Sequence, residues 1–229
     1  MHMLGGYGMY GYGYGYRLDP TIFLVLIGVL LSLWAQNRVN STFARYSRVR
    51  SFSGMTGAEA ARRLLNAQGI YDVTVQPVSG KLTDHYDPRD NTIYLSQSVY
   101  DSSTIAAVGV ACHEAGHACQ YAEGYFPIRV RSAIIPVCQF GSTFSYILIL
   151  IGLFLYSQAW FGVGVVLFSL TTLFQLVTLP VEFNASGRAL ATIEGEGLLY
   201  EDEYYGARKV LSAAALTYVA ALLTSLLYL

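Results

Sequence analysis

Apolar residues gather in four long runs along this chain, 21–35, 134–156, 160–179 and 210–229. At about 1.5 Å of helical rise per residue, roughly 20 residues cross the hydrocarbon core of a bilayer, so each run predicts a membrane-spanning helix. The first run is short against that length. It is preceded by a polar lead and followed by Trp34-Ala35-Gln36-Asn37, a poor cleavage site, so it reads as a retained anchor rather than a signal peptide. Residues 1–16 alternate Gly and Tyr almost throughout, a composition with too much backbone entropy to lose on packing, which predicts a disordered lead.

The stretch between the first and second runs has shorter periods. Thr56-Gly57-Ala58-Glu59 is a capping box, in which the Thr and Glu side chains satisfy amide donors left open at a helix start; it predicts a helix to about Gln68, ended by Gly69. Residues 73–78 and 92–96 alternate as short strands do, and the turn-forming residues from Gly80 to Asn91 separate them. A second helix is expected over 102–121, apolar on most of its circumference.

Composition agrees with a bilayer. Hydrophobic residues make up 54% of the 229 and charged residues 13%, too apolar a balance for an ordinary soluble domain. A net charge of −1 gives no electrostatic reason to expect a nucleic acid as partner. The three cysteines, Cys112, Cys119 and Cys138, are odd in number and lack a disulfide-like spacing, so they read as reduced, small apolar residues. Ten basic residues, from Arg38 to Arg131, lie between the first and second runs, whereas the lead holds only Arg17. The positive-inside rule therefore places that loop in the cytoplasm. The second and third runs form a hairpin closed outside by Ser157-Gln158-Ala159, which returns the segment carrying Arg188, Arg208 and Lys209 to the cytoplasmic side.

The second helix contains His113-Glu114-Ala115-Gly116-His117. Positions i and i+4 share one helical face, so the two imidazoles can grip one metal ion, and Glu114 can act as general base toward an activated water. Burying two histidines and a glutamate for packing alone would be costly. A catalytic zinc wants a third protein ligand. Glu123 lies six residues after His117, but Gln120 replaces the glycine that such a spacing needs for its turn. Glu182 lies sixty-nine residues from His113, and the out-and-back pair of spans returns it to the same membrane face; a carboxylate beside a charge-free span is also a poor packing choice. Glu182 is favoured. The acidic stretch from Glu194 to Glu203 reads as a solvated loop. For His85, between Asp84 and the turn at Asp87-Pro88, two roles stay open: a donor to the oxyanion of a tetrahedral intermediate, or a turn stabiliser. The strand at 92–96 offers a possible edge for an extended peptide to pair with, beside the plainer reading of a structural strand.

Leu82-Thr83-Asp84-His85-Tyr86-Asp87-Pro88, His113-Glu114-Ala115-Gly116-His117-Ala118, Leu179-Pro180-Val181-Glu182-Phe183-Asn184-Ala185-Ser186 and Gly206-Ala207-Arg208-Lys209-Val210-Leu211 together resemble the YugP-like family of bacterial membrane zinc metallopeptidases. That family is similar to the HtpX and CAAX prenyl protease group, gluzincins in which a glutamate on a later helix, within Glu-x-x-Ala-Asp, is the third zinc ligand. The resemblance implies Glu182 in that role, with Ala185 matching the alanine. Ser186 stands where the HtpX-type aspartate would be, which leaves the group orienting the imidazole to Asn184 or another acid.

The expected fold is thus a mainly α membrane protein: four transmembrane helices with a cytoplasmic α+β, gluzincin-like zinc peptidase domain. Its divisions are a lead (1–17), an anchor (18–36), a catalytic part (37–133), a transmembrane hairpin (134–179), a cytoplasmic segment with the third ligand (180–209) and a last span (210–229). The expected activity is that of an endopeptidase of the bacterial cell membrane. It would hold one Zn2+ on His113, His117 and Glu182, with Glu114 and His85 as catalytic groups, membrane lipid around it and a protein or peptide as substrate. Two alternatives are an intramembrane site-2-type protease and a non-catalytic zinc-binding membrane scaffold.

Overall fold

The computed structural model describes residues 21–229, so the glycine- and tyrosine-rich lead and Arg17 lie outside the described residues. The elements run α1 (Thr21–Tyr46), α2 (Gly57–Ala67), β1 (Thr74–Val78), β2 (His85–Asp87), β3 (Thr92–Ser96), α3 (Gln97–Tyr100), α4 (Ile105–Ala122), α5 (Phe126–Phe154), α6 (Gln158–Gly195) and α7 (Glu201–Tyr228).

Among the described residues four helices are long and apolar enough to cross a membrane: α1, α5, α6 and α7. Leu30, Leu33, Leu150, Val166, Leu176 and Leu226 stand exposed on them, a surface that suits lipid and not water. α1 and α7 pack antiparallel, with Ser32 Oγ 3.2 Å from Thr224 Oγ1 and the Tyr228 hydroxyl donating to Val25 O at 3.2 Å. α5 and α6 form the expected hairpin, and Gly152 and Gly164 let the two backbones approach closely near its tip.

The helices outrun the apolar runs that announce them. α1 continues past Ala35 to Tyr46, and α6 continues through Pro180 to Gly195. Backbone hydrogen bonding needs no apolar side chains to propagate, and Val181, Ala185 and Ala189, fully buried, hold α6 in place beyond the proline. Glu182 accordingly sits within a helix rather than just past the end of one. The acidic stretch is no solvated loop either. Glu194 lies in the last turn of α6 and Glu201, Asp202 and Glu203 in the first turn of α7, where Glu203 accepts from Tyr200 N at 2.9 Å and Phe52 N at 2.6 Å. Carboxylates suit that helix end because its amides are unpaired and its dipole positive.

The capping box forms as the sequence predicts, with Thr56 Oγ1 accepting from Glu59 N and Glu59 Oε2 from Thr56 N. Gly69 follows α2 at φ +71, and Ile70 N donates back to Leu65 O at 2.9 Å. The three strands lie in the order β1-β3-β2, with β1 parallel and β2 antiparallel to β3. This overturns the expectation of a free edge at 92–96, since both sides of β3 are paired. The free edges belong to β1 and β2, and the three residues of β2 are too few for alternation to reveal them within the turn-rich segment.

Leu64 and Leu65 of α2, Ile93 and Leu95 of β3, Val99 of α3, Ile105 and Val108 of α4, Ile193 of α6 and Leu198 form one buried core. Each such side chain contributes about 1.5–3 kcal/mol by leaving water. α4 lies at its centre, packed on α2, α6, α7 and the sheet, and nearly all its residues are buried. Small side chains make this possible. A Cβ at Gly116 would come within 2.6 Å of Ala185 O on α6, so the glycine lets the two backbones touch. Gly116→Ala is expected to force α4 and α6 apart at a cost of about 1–3 kcal/mol. Thermal unfolding in detergent should show a lowered midpoint, whereas Gly187→Ala, where an added Cβ meets nothing within 4 Å, should not change it.

Candidate metal centre

α4 and α6 meet where three potential ligands converge. His113 Nε2 lies 3.2 Å and His117 Nε2 3.5 Å from the same oxygen, Glu182 Oε2. The three ligand atoms all lie within 4.8 Å of one another, and Glu182 and His117 are buried. The helical repeat sets the two rings one turn apart, with centroids 4.7 Å apart and planes nearly perpendicular, so their Nε2 atoms converge instead of stacking.

Hydrogen bonds on the far side of each ring fix this orientation. Gln120 donates through Nε2 to Val181 O at 2.8 Å and to Asn184 Oδ1 at 2.9 Å, which commits both amide hydrogens and turns its Oε1 toward His117 Nδ1 at 3.0 Å. The His117 proton therefore belongs on Nδ1, and the Nε2 lone pair is free to face Glu182. Ser186 Oγ stands 3.1 Å from His113 Nδ1 and supplies the equivalent partner. Two imidazole nitrogens and one carboxylate oxygen, each steadied from behind, form a donor set that fits zinc in a catalytic setting.

The electrostatics agree with a cation site. Burial opposes the charged imidazole of His117, but the Glu182 hydrogen bond and the Glu114 and Glu182 charges outweigh it and raise the group above the ordinary histidine range. The pocket is thus organised to favour positive charge between the imidazoles and the carboxylate. Burial pushes the Cys112 thiol up to about 12 and the Cys119 thiol up to about 11, so neither offers a ready thiolate ligand. Cys112, Cys119 and Cys138 are all free and buried, as their spacing suggests.

The three residues open into a cavity of about 710 Å³ whose wall also carries Glu114, His85, Arg131 and Tyr218. Glu123 is elsewhere: Arg188 holds it in a two-pronged ion pair at 2.5 and 2.7 Å. His85 Nδ1 lies 2.7 Å from Thr83 O, and its ring stacks on Tyr94. Since a carbonyl can only accept, Nδ1 carries the hydrogen and Nε2 can donate into the cavity only when the ring is protonated. Arg89 grips Asp87 across the β2–β3 turn and holds that carboxyl down to about 2, which keeps the cavity's outer wall charged and fixed.

Four residues at this site escaped the sequence reading. Gln120 had registered only as a missing glycine and Ser186 only as a missing aspartate; both are the partners that aim the imidazoles. Arg131 had counted as one topogenic charge among ten, yet its Nη1 lies 3.4 Å from Glu182 Oε1, opposite the oxygen facing the histidines. Tyr218 looked like one more residue of an apolar span, but it lies within electrostatic reach of Glu182 and Glu114. A pair of cations, Arg129 and Arg131, at the start of an apolar helix and a polar-tipped ring within another were the available signals.

The chain resembles known proteins along almost its whole length. The family model described as "Putative neutral zinc metallopeptidase" matches residues 21–229. The chain is 52% identical over 205 residues to the "Putative membrane protease YugP" of Bacillus subtilis (strain 168), covering 90% of this chain and 91% of that one. No solved structure matches. With a match that spans every described residue and a relative alike along almost its whole length, this chain belongs to that neutral zinc metallopeptidase family and is a membrane protein.

Proposed function

We propose that this protein is a zinc endopeptidase with one Zn2+ held by His113, His117 and Glu182, cleaving membrane or membrane-associated proteins at the cytoplasmic face. The observation that carries the reading is the convergence of two Nε2 atoms and one carboxylate oxygen within 4.8 Å at the base of a cavity that Glu114 also lines. The orientation rests on the basic residues: those between α1 and α5, and those between the apolar stretches of α6 and α7, share one side of the bilayer by the positive-inside rule.

When bound, zinc would polarise a substrate carbonyl and make a water acidic enough to lose a proton near neutral pH. The rest is the work of the chain. Glu114, one residue from His113 and on the cavity wall, takes that proton and returns it to the departing amine. Arg131 draws one oxygen of Glu182 to itself, which leaves the other for the metal. Arg131 and Tyr218 are fixed donors suited to the negative charge that develops on the carbonyl oxygen, whereas His85 joins them only as an imidazolium. The unpaired edge of β2 borders the same cavity and suits an extended peptide, which would bind through its backbone with little regard for side chains. Ile128, Ile135 and Pro136 of α5 continue the cavity along a membrane-spanning helix, which suits a substrate segment close to the bilayer. The embedding of α4 among α2, α6, α7 and the sheet supports a site enclosed by protein over the intramembrane site-2-type arrangement.

Glu114→Gln is expected to retain zinc but lower kcat on a peptide substrate by about 10²- to 10⁴-fold. Metal analysis beside a cleavage assay checks this, and retained turnover would remove Glu114 from the base role. Glu182→Ala should lose zinc on dialysis while Glu123→Ala keeps it; the reverse would transfer the third ligand to Glu123. Gln120→Ala, which leaves the ligands themselves in place, should weaken zinc binding by about 10- to 100-fold in a chelator competition.

A further inference from the structure

Where α1 leaves its apolar stretch and α7 is about to enter its own, a second cavity of about 420 Å³ opens between them. Four cationic side chains line it, Arg38 and Arg45 from α1 and Arg208 and Lys209 from α7, and no carboxylate does. Among the described residues none of the four forms an ion pair, although the chain pairs Arg63, Arg89, Arg131 and Arg188 with acids elsewhere. Four like charges around one cavity repel one another unless an anion enters.

Depth indicates what that anion is. Thr224 lies beside Gly28 and Ser32 in the antiparallel α1–α7 pair, which fixes the register of the two helices. Counted from there, Arg38 and Ser212 both lie toward the same membrane face, by about 9 and 18 Å of helical rise. On that count the first apolar stretch ends at Ala35, about 4 Å along, the last begins at Val210, about 21 Å along, and the cations lie between about 9 and 24 Å, across the zone in which first α1 and then α7 turns polar, the zone of phospholipid headgroups. The hydroxyl-bearing Thr42 and Ser212 line the same cavity, whereas Ala213 and Leu216 form its apolar end. On the other side of α7 a groove of about 400 Å³ shares Arg208, Ser212 and Leu216 with it and, apart from Ser186, is otherwise walled by apolar residues such as Phe183, Leu211 and Val219. A charged socket joined to an apolar groove has the polarity of a lipid. The positive-inside rule accounts for basic residues on this side of the membrane, but not for four from two helices converging on one cavity.

We propose that this cavity binds the phosphate of an anionic phospholipid, with Arg38, Arg45, Arg208 and Lys209 around the headgroup and an acyl chain along Leu216. Guanidinium forks match phosphate oxygens two at a time, and a phosphodiester there bridges α1 to α7. None of the residues lining this cavity belongs to the metal centre, and in the adjoining groove only Ser186 does, so the proposal does not rest on the peptidase reading.

The test uses the full-length protein, stripped of lipid in neutral detergent and offered phosphatidylglycerol, phosphatidylcholine of the same acyl chains, or inorganic phosphate. Phosphatidylglycerol is expected to remain bound in native mass spectrometry and to raise the thermal midpoint by several degrees, while the other two do neither. The double variant Arg38→Gln, Arg208→Gln should bind phosphatidylglycerol at least tenfold more weakly. A second measurement needs no variant. Acylation of Lys209 by a water-soluble reagent should slow severalfold when phosphatidylglycerol replaces phosphatidylcholine, with Lys81, the chain's other lysine, unaffected. Equal responses to the two lipids, an equal response to inorganic phosphate, or unchanged Lys209 reactivity would overturn the proposal.

Discussion

Backbone contact between α4 and α6 at Gly116 and Ala185 is the constraint on which the rest of the molecule depends. One helix carries two imidazoles a turn apart and the other carries a single carboxylate, and only a near-touching crossing places all three around one point. A Cβ at Gly116 would sit 2.6 Å from Ala185 O, so a side chain there would push the helices apart and draw the ligands away from their common point. The small residues along α4 serve the same end, allowing α7 to close in beside it and to present Tyr218 to the cavity.

Orientation is the second requirement, and neutral side chains supply it here. Gln120 and Ser186 bond the outer nitrogens of the imidazoles without adding charge beside the carboxylate that faces the cation. Gln120 is itself anchored twice to α6, through Val181 O and Asn184, so the aim of His117 on α4 is tied to the helix that carries Glu182. Arg188 adds a further clamp between Asn184 and Glu123. Ligand geometry and helix packing are therefore one system.

Much of this was legible in the sequence. Four apolar runs announced four membrane-crossing helices, Thr56 and Glu59 announced α2, and the His-Glu-x-x-His spacing pointed to a metal on α4. The out-and-back pair of spans likewise implied that Glu182 returns to the same membrane face as the histidines. What hydropathy could not show was where the helices end, because polar helical turns look like loops: α6 continued through Pro180, and Glu201 to Glu203 opened α7. Alternation could not show β2, only three residues long, and so assigned a free edge to the wrong strand. Gln120, Ser186, Arg131 and Tyr218 stayed hidden because their partners lie on other helices, at sequence separations that no local pattern encodes.

Zinc K-edge absorption spectroscopy on the purified, zinc-loaded protein tests the central arrangement most directly. Two imidazole nitrogens and one carboxylate oxygen in the metal's coordination shell, with no sulfur, is the predicted result. A shell containing cysteine sulfur, or one lacking the second imidazole, would contradict the convergence of α4 and α6 on a single ion.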